Sequence, residues 1–304
     1  MKAVLVNLSN QPYAASRTRL NESARQHGIE DILSWDFEEI KQTSFYTRNR
    51  AILDQPRGMG YWLWKPYILL EALKGLADGD IALYCDSGME IIASLDPLFR
   101  ICRDEQPVLL FGNGDFVNAS WTKRDCFIRM NCDRESFWQG PQCDAAFLLV
   151  RKSPFVLQFL EEWLQFAGDE NILTDLPNIS GKRNLPGFIE HRHDQSILSL
   201  LAQLHQIPLY RIPTQFGNHY KTYPYRVENE FNAVNQYRQT PVNYYAAIPY
   251  YNSPYYQLLD HHRQQNNGAP DGKKSKGPGK FILLQKIIVK RYNRFLNKIS
   301  LWME

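Results

Sequence analysis

The sequence predicts an α/β protein: a mostly parallel sheet covered by helices on both faces. Three observations carry this. Short apolar runs alternate with amphipathic stretches along residues 1–212. The apolar runs are four to eight residues long, a strand's length rather than a helix's. Glycine and proline sit where helices should close and open.

The elements follow in order. Lys2 to Leu8 reads as a buried first strand and Asn10 to Tyr13 as a loop. Ser16 to His27 reads as a helix, with Gly28 at the usual position just past its end. Ile29 to Trp35 reads as a second strand. Pro66 opens a helix, because its missing N–H is not needed in the first turn. That helix runs through Ile68, Leu69, Leu70, Leu73 and Leu76 and stops at Asp78-Gly79-Asp80. Ile81 to Cys85, Val108 to Phe111, Ala145 to Val150 and Pro208 to Ile212 read as strands. Pro154 to Phe166 and Asp194 to Leu204 read as helices.

After His262 the character changes. Residues 263–280 are rich in Gly, Pro, Lys, Asn and Gln and read as a flexible basic linker. Residues 281–304 read as an amphipathic basic helix, with Phe281, Leu284, Ile288, Phe295, Ile299 and Trp302 at three-to-four spacing. The expected organisation is one domain over 1–262, the linker, and this helix. The net charge of +3 hides an asymmetry, because nine Lys and Arg and no acids lie between Lys273 and Lys298. Residues 1–272 hold 26 basic and 31 acidic residues, a net of −5, which argues against a nucleic-acid-binding body. The tail, by contrast, suits an anionic membrane surface.

Five cysteines with no CxxC pair point to a reducing compartment rather than to zinc or disulfides. The opening MKAVLVNLSNQPY does not read as a signal peptide, and no segment has the roughly 18 apolar residues of a membrane span. The expected location is cytoplasmic and peripheral to the inner face of the cell membrane. No P-loop, GxGxxG after the first strand, GxSxG or HExxH occurs, which disfavours kinase, dehydrogenase, esterase and zinc-protease chemistry.

Three stretches can carry chemistry. Asp86 ends the Ile81–Cys85 strand, where open α/β sheets bind ligands. Gly88 permits close approach of backbone. If the chain stays extended, Glu90 points the same way as Asp86 and supplies a second carboxylate for a hard cation. Gly58 to Pro66 packs Tyr61, Trp62, Trp64 and Lys65 before a helix start, so Lys65 stands where a diphosphate would satisfy both dipole and charge. Asp194, before an apolar helix, reads either as an N-cap or as a base or charge stabiliser. His191 and His193 lack a third ligand at zinc-like spacing. His219 is a late histidine that can complete a metal site.

The stretch GYWLWKPYILLEALKGLADGDIALYCDSGMEI resembles the central block of bacterial GT-A fold glycosyltransferases of the glycogenin and lipopolysaccharide galactosyltransferase type. Tyr84-x-Asp86-x-Gly88 stands where that fold places Asp-x-Asp. Gln142 to Val150 resembles its acceptor-side strand, and His193-Asp194-Gln195 its Asp-Gln helix start. The resemblance covers roughly residues 1–225. It implies a nucleotide-sugar donor and a glycan or lipid-linked acceptor in envelope polysaccharide synthesis. It implies Asp194 and Gln195 as catalytic residues, and nucleotide-sugar contacts at Asp86, Gly88, Lys65, Tyr61, Trp62 and Asp144. The residues themselves offer Asp86, Glu90 and His219 to a divalent metal, Mn²⁺ or Mg²⁺, while Gly88 departs from the family's second aspartate. The alternative expectation is a non-catalytic glycan- or nucleotide-binding subunit on the same fold.

Overall fold

The run AVLVNLS folds as β1 (Ala3–Ser9), buried from Val4 to Ser9. Burial on both faces is what a central strand under two helical layers requires. In the computed structural model, residues 1–217 and 252–262 are described. The helix expected over 281–304, the linker expected over 263–280 and His219 lie outside them. Among the described residues no helix is long and apolar enough to cross a membrane.

After β1 come α1 (Ala14–Gln26), β2 (Asp31–Asp36), α2 (Trp64–Lys74), β3 (Ile81–Cys85) and β4 (Met89–Ile91). Then follow α3 (Asp96–Asp104), β5 (Val108–Val117), β6 (Pro141–Arg151), α4 (Pro154–Ala167), α5 (Asp194–Leu204), β7 (Leu209–Arg211) and β8 (Leu259–His261). Six strands form one sheet in the order β2-β1-β3-β6-β5-β7. Its pairings are parallel except those of β6, which runs against both β3 and β5. The expected mostly parallel α/β sheet is therefore present, with one reversed strand.

Side chains alternate across this sheet, as the strand period demands. Val4, Val6, Ala82 and Tyr84 face one core with Ile68 and Leu69 of α2, Phe159 and Trp163 of α4, and Leu198 of α5. Leu5, Ile81, Leu83 and Cys85 face the other, with Leu20 of α1 and Leu98 of α3.

The reversal of β6 positions the site. Cys85 at the end of β3 pairs with Phe147, and the Asp86 amide donates to the Ala146 carbonyl at 2.8 Å. Ala145, Asp144 and Gln142 therefore continue past the carboxyl end of β3. On the other side, β4 and β8 make a separate two-stranded ribbon. The His262 amide donates to the Gly88 carbonyl at 2.8 Å, so the ribbon lies against the turn after β3.

The aromatic lead-in to α2 is unusual. Gly58, Met59, Gly60, Tyr61 and Trp62 all have positive φ, between 53° and 88°. This is one left-handed turn, closed by Tyr61 N–H to Arg57 O at 2.7 Å and Trp62 N–H to Gly58 O at 3.2 Å. Three of its members carry a Cβ, each at a cost of roughly 1–2 kcal/mol. Packing holds them there. Trp64 Nε1 donates to the Gly58 carbonyl at 3.0 Å, and Tyr61 and Trp64 are buried. A Cβ on Gly60 would lie 2.6 Å from Leu53 Cα. Helix α2 then starts at Trp64, two residues before the proline expected to open it.

This predicts a separable glycine effect. Gly60→Ala meets both a left-handed φ and a backbone clash, whereas Gly79→Ala meets only the φ, with nothing within 4 Å of its Cβ. Denaturant unfolding should show Gly60→Ala destabilised by roughly 1–3 kcal/mol more than Gly79→Ala. Equal losses would mean the turn is not clamped against Leu53.

Candidate functional site

Lys65 is the second residue of α2 and is 3% exposed. An ammonium has three N–H donors and cannot be left unpaired inside a protein. Here Nζ lies 3.0 Å from Asp194 Oδ2, 3.4 Å from Asp86 Oδ1 and 2.9 Å from the Ala145 carbonyl. The carbonyl contact is a hydrogen bond, and the two carboxylates form ion pairs with the same nitrogen. The rings of Tyr84 and Trp62 stand 5.2 and 5.8 Å from the same nitrogen, within cation–π range.

The charges settle accordingly. Burial works against the Lys65 charge, but Asp194 and Asp86 outweigh it and hold its pKa above the ordinary value. Burial pushes Asp194 up to about 6, against the pull of Lys65. The Tyr84 hydroxyl donates to Asp86 Oδ1, and burial followed by the Asp86 charge pushes its pKa well up. Tyr84 is therefore a neutral donor. Asp86 is the open member of the set, with its side chain 32% exposed against 4% for both Lys65 and Asp194.

Three expectations change here. Lys65 does not face outward toward a diphosphate: it is buried, hydrogen-bonded to the Ala145 carbonyl and ion-paired with two carboxylates. Asp194 is not an N-cap: it is the first residue of α5, and its carboxylate turns to Lys65. The chain after Asp86 does not stay extended. Met89 N–H bonds to Asp86 O at 3.1 Å and closes a turn. Glu90 then pairs across the ribbon with Asp260, and its carboxylate meets Arg19 at 3.8 Å and His262 at 3.3 Å.

Among the described residues, the donor set at Asp86 does not fit a protein-held divalent ion. Asp86 Oδ1 already serves Tyr84 and Lys65, an ammonium stands 3.4 Å away, and Glu90 is held by other partners. No cluster of three or more His, Cys, Asp or Glu among the described residues is arranged to hold a metal.

The remaining residues gather around the triad. Asp144 is nearly buried, accepts from the Ala146 amide at 2.6 Å, and adds negative charge near Lys65. Tyr61 and Trp62 pack on His193, with ring centroids at 4.7 and 5.9 Å. His193 has φ 54° and ψ −119°, a strained conformation that turns the chain into α5. Burial pushes its pKa down to about 4, and Nδ1 bonds the Leu173 carbonyl at 2.8 Å. His191 is buried and held well below its usual range, with both ring nitrogens bonded to the backbone of Lys123 and Ile172. Gln195 donates its amide to Gln142 Oε1 at 3.0 Å.

The sequence reading missed a second group. Asn7 Oδ1, Ser9 Oγ, Asn10 Oδ1 and Trp35 Nε1 are buried without a hydrogen-bond partner. They lie at the carboxyl ends of β1 and β2, where Leu8 pairs with Trp35. Buried polar atoms are normally satisfied, so a cluster that is not marks a place built for something else. The signal was present: asparagine and serine interrupt an otherwise apolar central strand in VNLSN.

No family profile matches this chain, and no curated protein matches it. Solved structures that resemble it are glycosyltransferases. Mouse xyloside xylosyltransferase 1 is 10% identical, covers 90% of this chain and 100% of its own, and has a TM-score of 0.46. The galactosyltransferase LgtC, in complex with donor and acceptor sugar analogues, is 12% identical over 86% of this chain and 87% of its own, at 0.44. GlyE of Streptococcus pneumoniae TIGR4 is 14% identical over 98% of this chain and 64% of its own, at 0.43. Scores under 0.5 at such identities carry no weight for the chemistry, which rests on this chain's own residues.

The triad predicts a titration. The folded pKa of Asp194 lies above its ordinary 3.8, so this group's contribution to stability is largest below 3.8 and is lost as pH rises toward about 6. Carboxyl ¹³C NMR should place the Asp194 midpoint near 6, and Lys65→Met should raise it further. A native midpoint near 3.8 would show that the carboxylate is not buried against the lysine as described.

Proposed function

We propose that this chain is a nucleotide-sugar-dependent glycosyltransferase of the GT-A type. The observation that carries the reading is Lys65 joining Asp86 and Asp194 beyond the carboxyl end of β3. That edge is where open α/β sheets receive their ligands. Two carboxylates with different exposure suit two tasks. Asp86 is open enough to accept a ligand hydroxyl. Asp194 is buried, and its ionised form stabilises positive charge at a reacting sugar carbon more strongly than it would in water. The unpartnered Asn7, Ser9, Asn10 and Trp35 atoms offer acceptors and a donor suited to a nucleoside. In this reading the donor is a nucleotide sugar and the acceptor a glycan or a lipid-linked sugar in envelope polysaccharide synthesis. The basic amphipathic pattern of residues 281–304 supports attachment to an anionic membrane surface, and with it a cytoplasmic, peripheral location.

One observation favours the second reading, a binding subunit without turnover: Gly88 stands where the fold's second aspartate would be. The experiment separates the two. UDP-, GDP- and CMP-linked sugars are screened by thermal shift and by donor consumption. A transferase consumes at least one donor. Asp86→Asn and Asp194→Asn should each cut that turnover by roughly 100-fold or more while keeping the fold. A donor that stabilises the protein and is never consumed would establish the binding subunit instead. Turnover that survives both substitutions would remove these residues from the chemistry.

A further inference from the structure

A chain of amides runs behind α5, and its hydrogen-bond direction is forced. Phe137 O is a backbone carbonyl and can only accept. Asn118 Nδ2 donates to it at 3.0 Å. The Asn118 oxygen must then face the other way, where Gln142 Nε2 donates to it at 2.9 Å. Gln142 gives a second N–H bond to Thr122 Oγ1, also at 2.9 Å. Both Gln142 donors are engaged, so its oxygen faces Gln195 and accepts from Nε2 at 3.0 Å. Asn118, Thr122 and Gln142 are fully buried. Flipping any one amide would set two NH₂ groups or two carbonyls against each other out of reach of water, which is strongly disfavoured.

We propose that Asn118 and Gln142 form a directional relay, anchored on the Phe137 carbonyl, that makes Gln195 present its carbonyl oxygen to the ligand. This deepens the glycosyltransferase reading and rests on it. Gln195 directly follows Asp194, and with its Nε2 held by Gln142 its Oε1 lies on the opposite side of the amide. The frame around it is stiff. Ser199 Oγ accepts from the Cys143 amide at 2.8 Å and donates to the backbone carbonyl of Gln195 at 2.6 Å, tying α5 to β6. Ser196 Oγ donates to the Trp121 carbonyl at 2.8 Å, tying α5 to the Asn118–Trp121 turn. The consequence is chemical. A neutral acceptor beside Asp194 takes a sugar hydroxyl and favours a carbon gaining positive charge, whereas the NH₂ end would oppose both. Asn118 and Gln142 are positioning residues, because they act through Gln195.

Side-chain amide hydrogen exchange tests this on the full chain labelled with ¹⁵N-glutamine, alongside UDP-glucose hydrolysis as the kinetic probe. In the native protein the Gln195 amide should exchange at least about 10-fold more slowly than an exposed glutamine. Gln142→Leu removes the acceptor and should abolish that protection. It should also lower kcat roughly 10-fold with KM within about two-fold, a split that general loss of structure would not produce. Gln142→Glu, buried in its protonated form with its O–H donating to Asn118 Oδ1, keeps an acceptor for Gln195 and should restore the protection and most of kcat. Gln142→Met serves if the leucine variant does not fold. An unprotected Gln195 in the native protein, or protection unchanged in both apolar variants, would overturn the relay. Protection that behaves as predicted in a protein that turns over no nucleotide sugar would sustain the relay and overturn the transferase reading.

Discussion

A single ammonium shared between two carboxylates organises this end of the molecule. Lys65 cannot remain charged in the interior without partners, and the partners come from three different places in the chain. Asp86 is the residue after β3, Ala145 belongs to reversed strand β6, and Asp194 begins α5. The distances of 3.4, 2.9 and 3.0 Å therefore hold a strand end, a second strand and a helix start in one register. Removing the lysine would leave two carboxylates facing each other, one of them buried.

The strained segments make sense as consequences of this demand. Lys65 reaches its partners from the first turn of α2, and a left-handed turn delivers that helix. Asp194 reaches Lys65 because His193 adopts a conformation that few non-glycine residues accept. The two strained places touch, since Tyr61 and Trp62 pack on the His193 ring. Strain concentrated around one charge cluster, and held by packing on every side, is characteristic of sites whose geometry matters more than their local stability.

Much of the architecture was legible in the sequence, for physical reasons. Apolar runs of strand length identified β1, β3 and β6, Gly28 marked the end of α1, and the amphipathic stretch after Asp194 identified α5. The reversal of β6 was not legible, because a run buried on both faces reads the same in either direction. Asp86 and Asp194 stood out as acids at the ends of apolar elements. Their union through Lys65 did not, since a lysine at a helix start looks like an anion site until the fold shows what surrounds it. Glu90 was misjudged because side-chain alternation holds only while a strand continues, and the turn at Ser87 and Gly88 ends it. Asn7 and Ser9 were passed over because the strand signal around them was so strong.

The central claim is that Lys65 and Asp194 depend on each other inside the protein. A double-mutant cycle with Lys65→Met, Asp194→Asn and the pair, followed by denaturant unfolding, measures that dependence directly. Each single change should destabilise by about 3–5 kcal/mol, because each leaves a buried partner stranded. The double variant should lose much less than the sum, with a coupling of at least about 2 kcal/mol. Additive losses, with a coupling within about 0.5 kcal/mol of zero, would contradict the claim that this buried pair holds the site together.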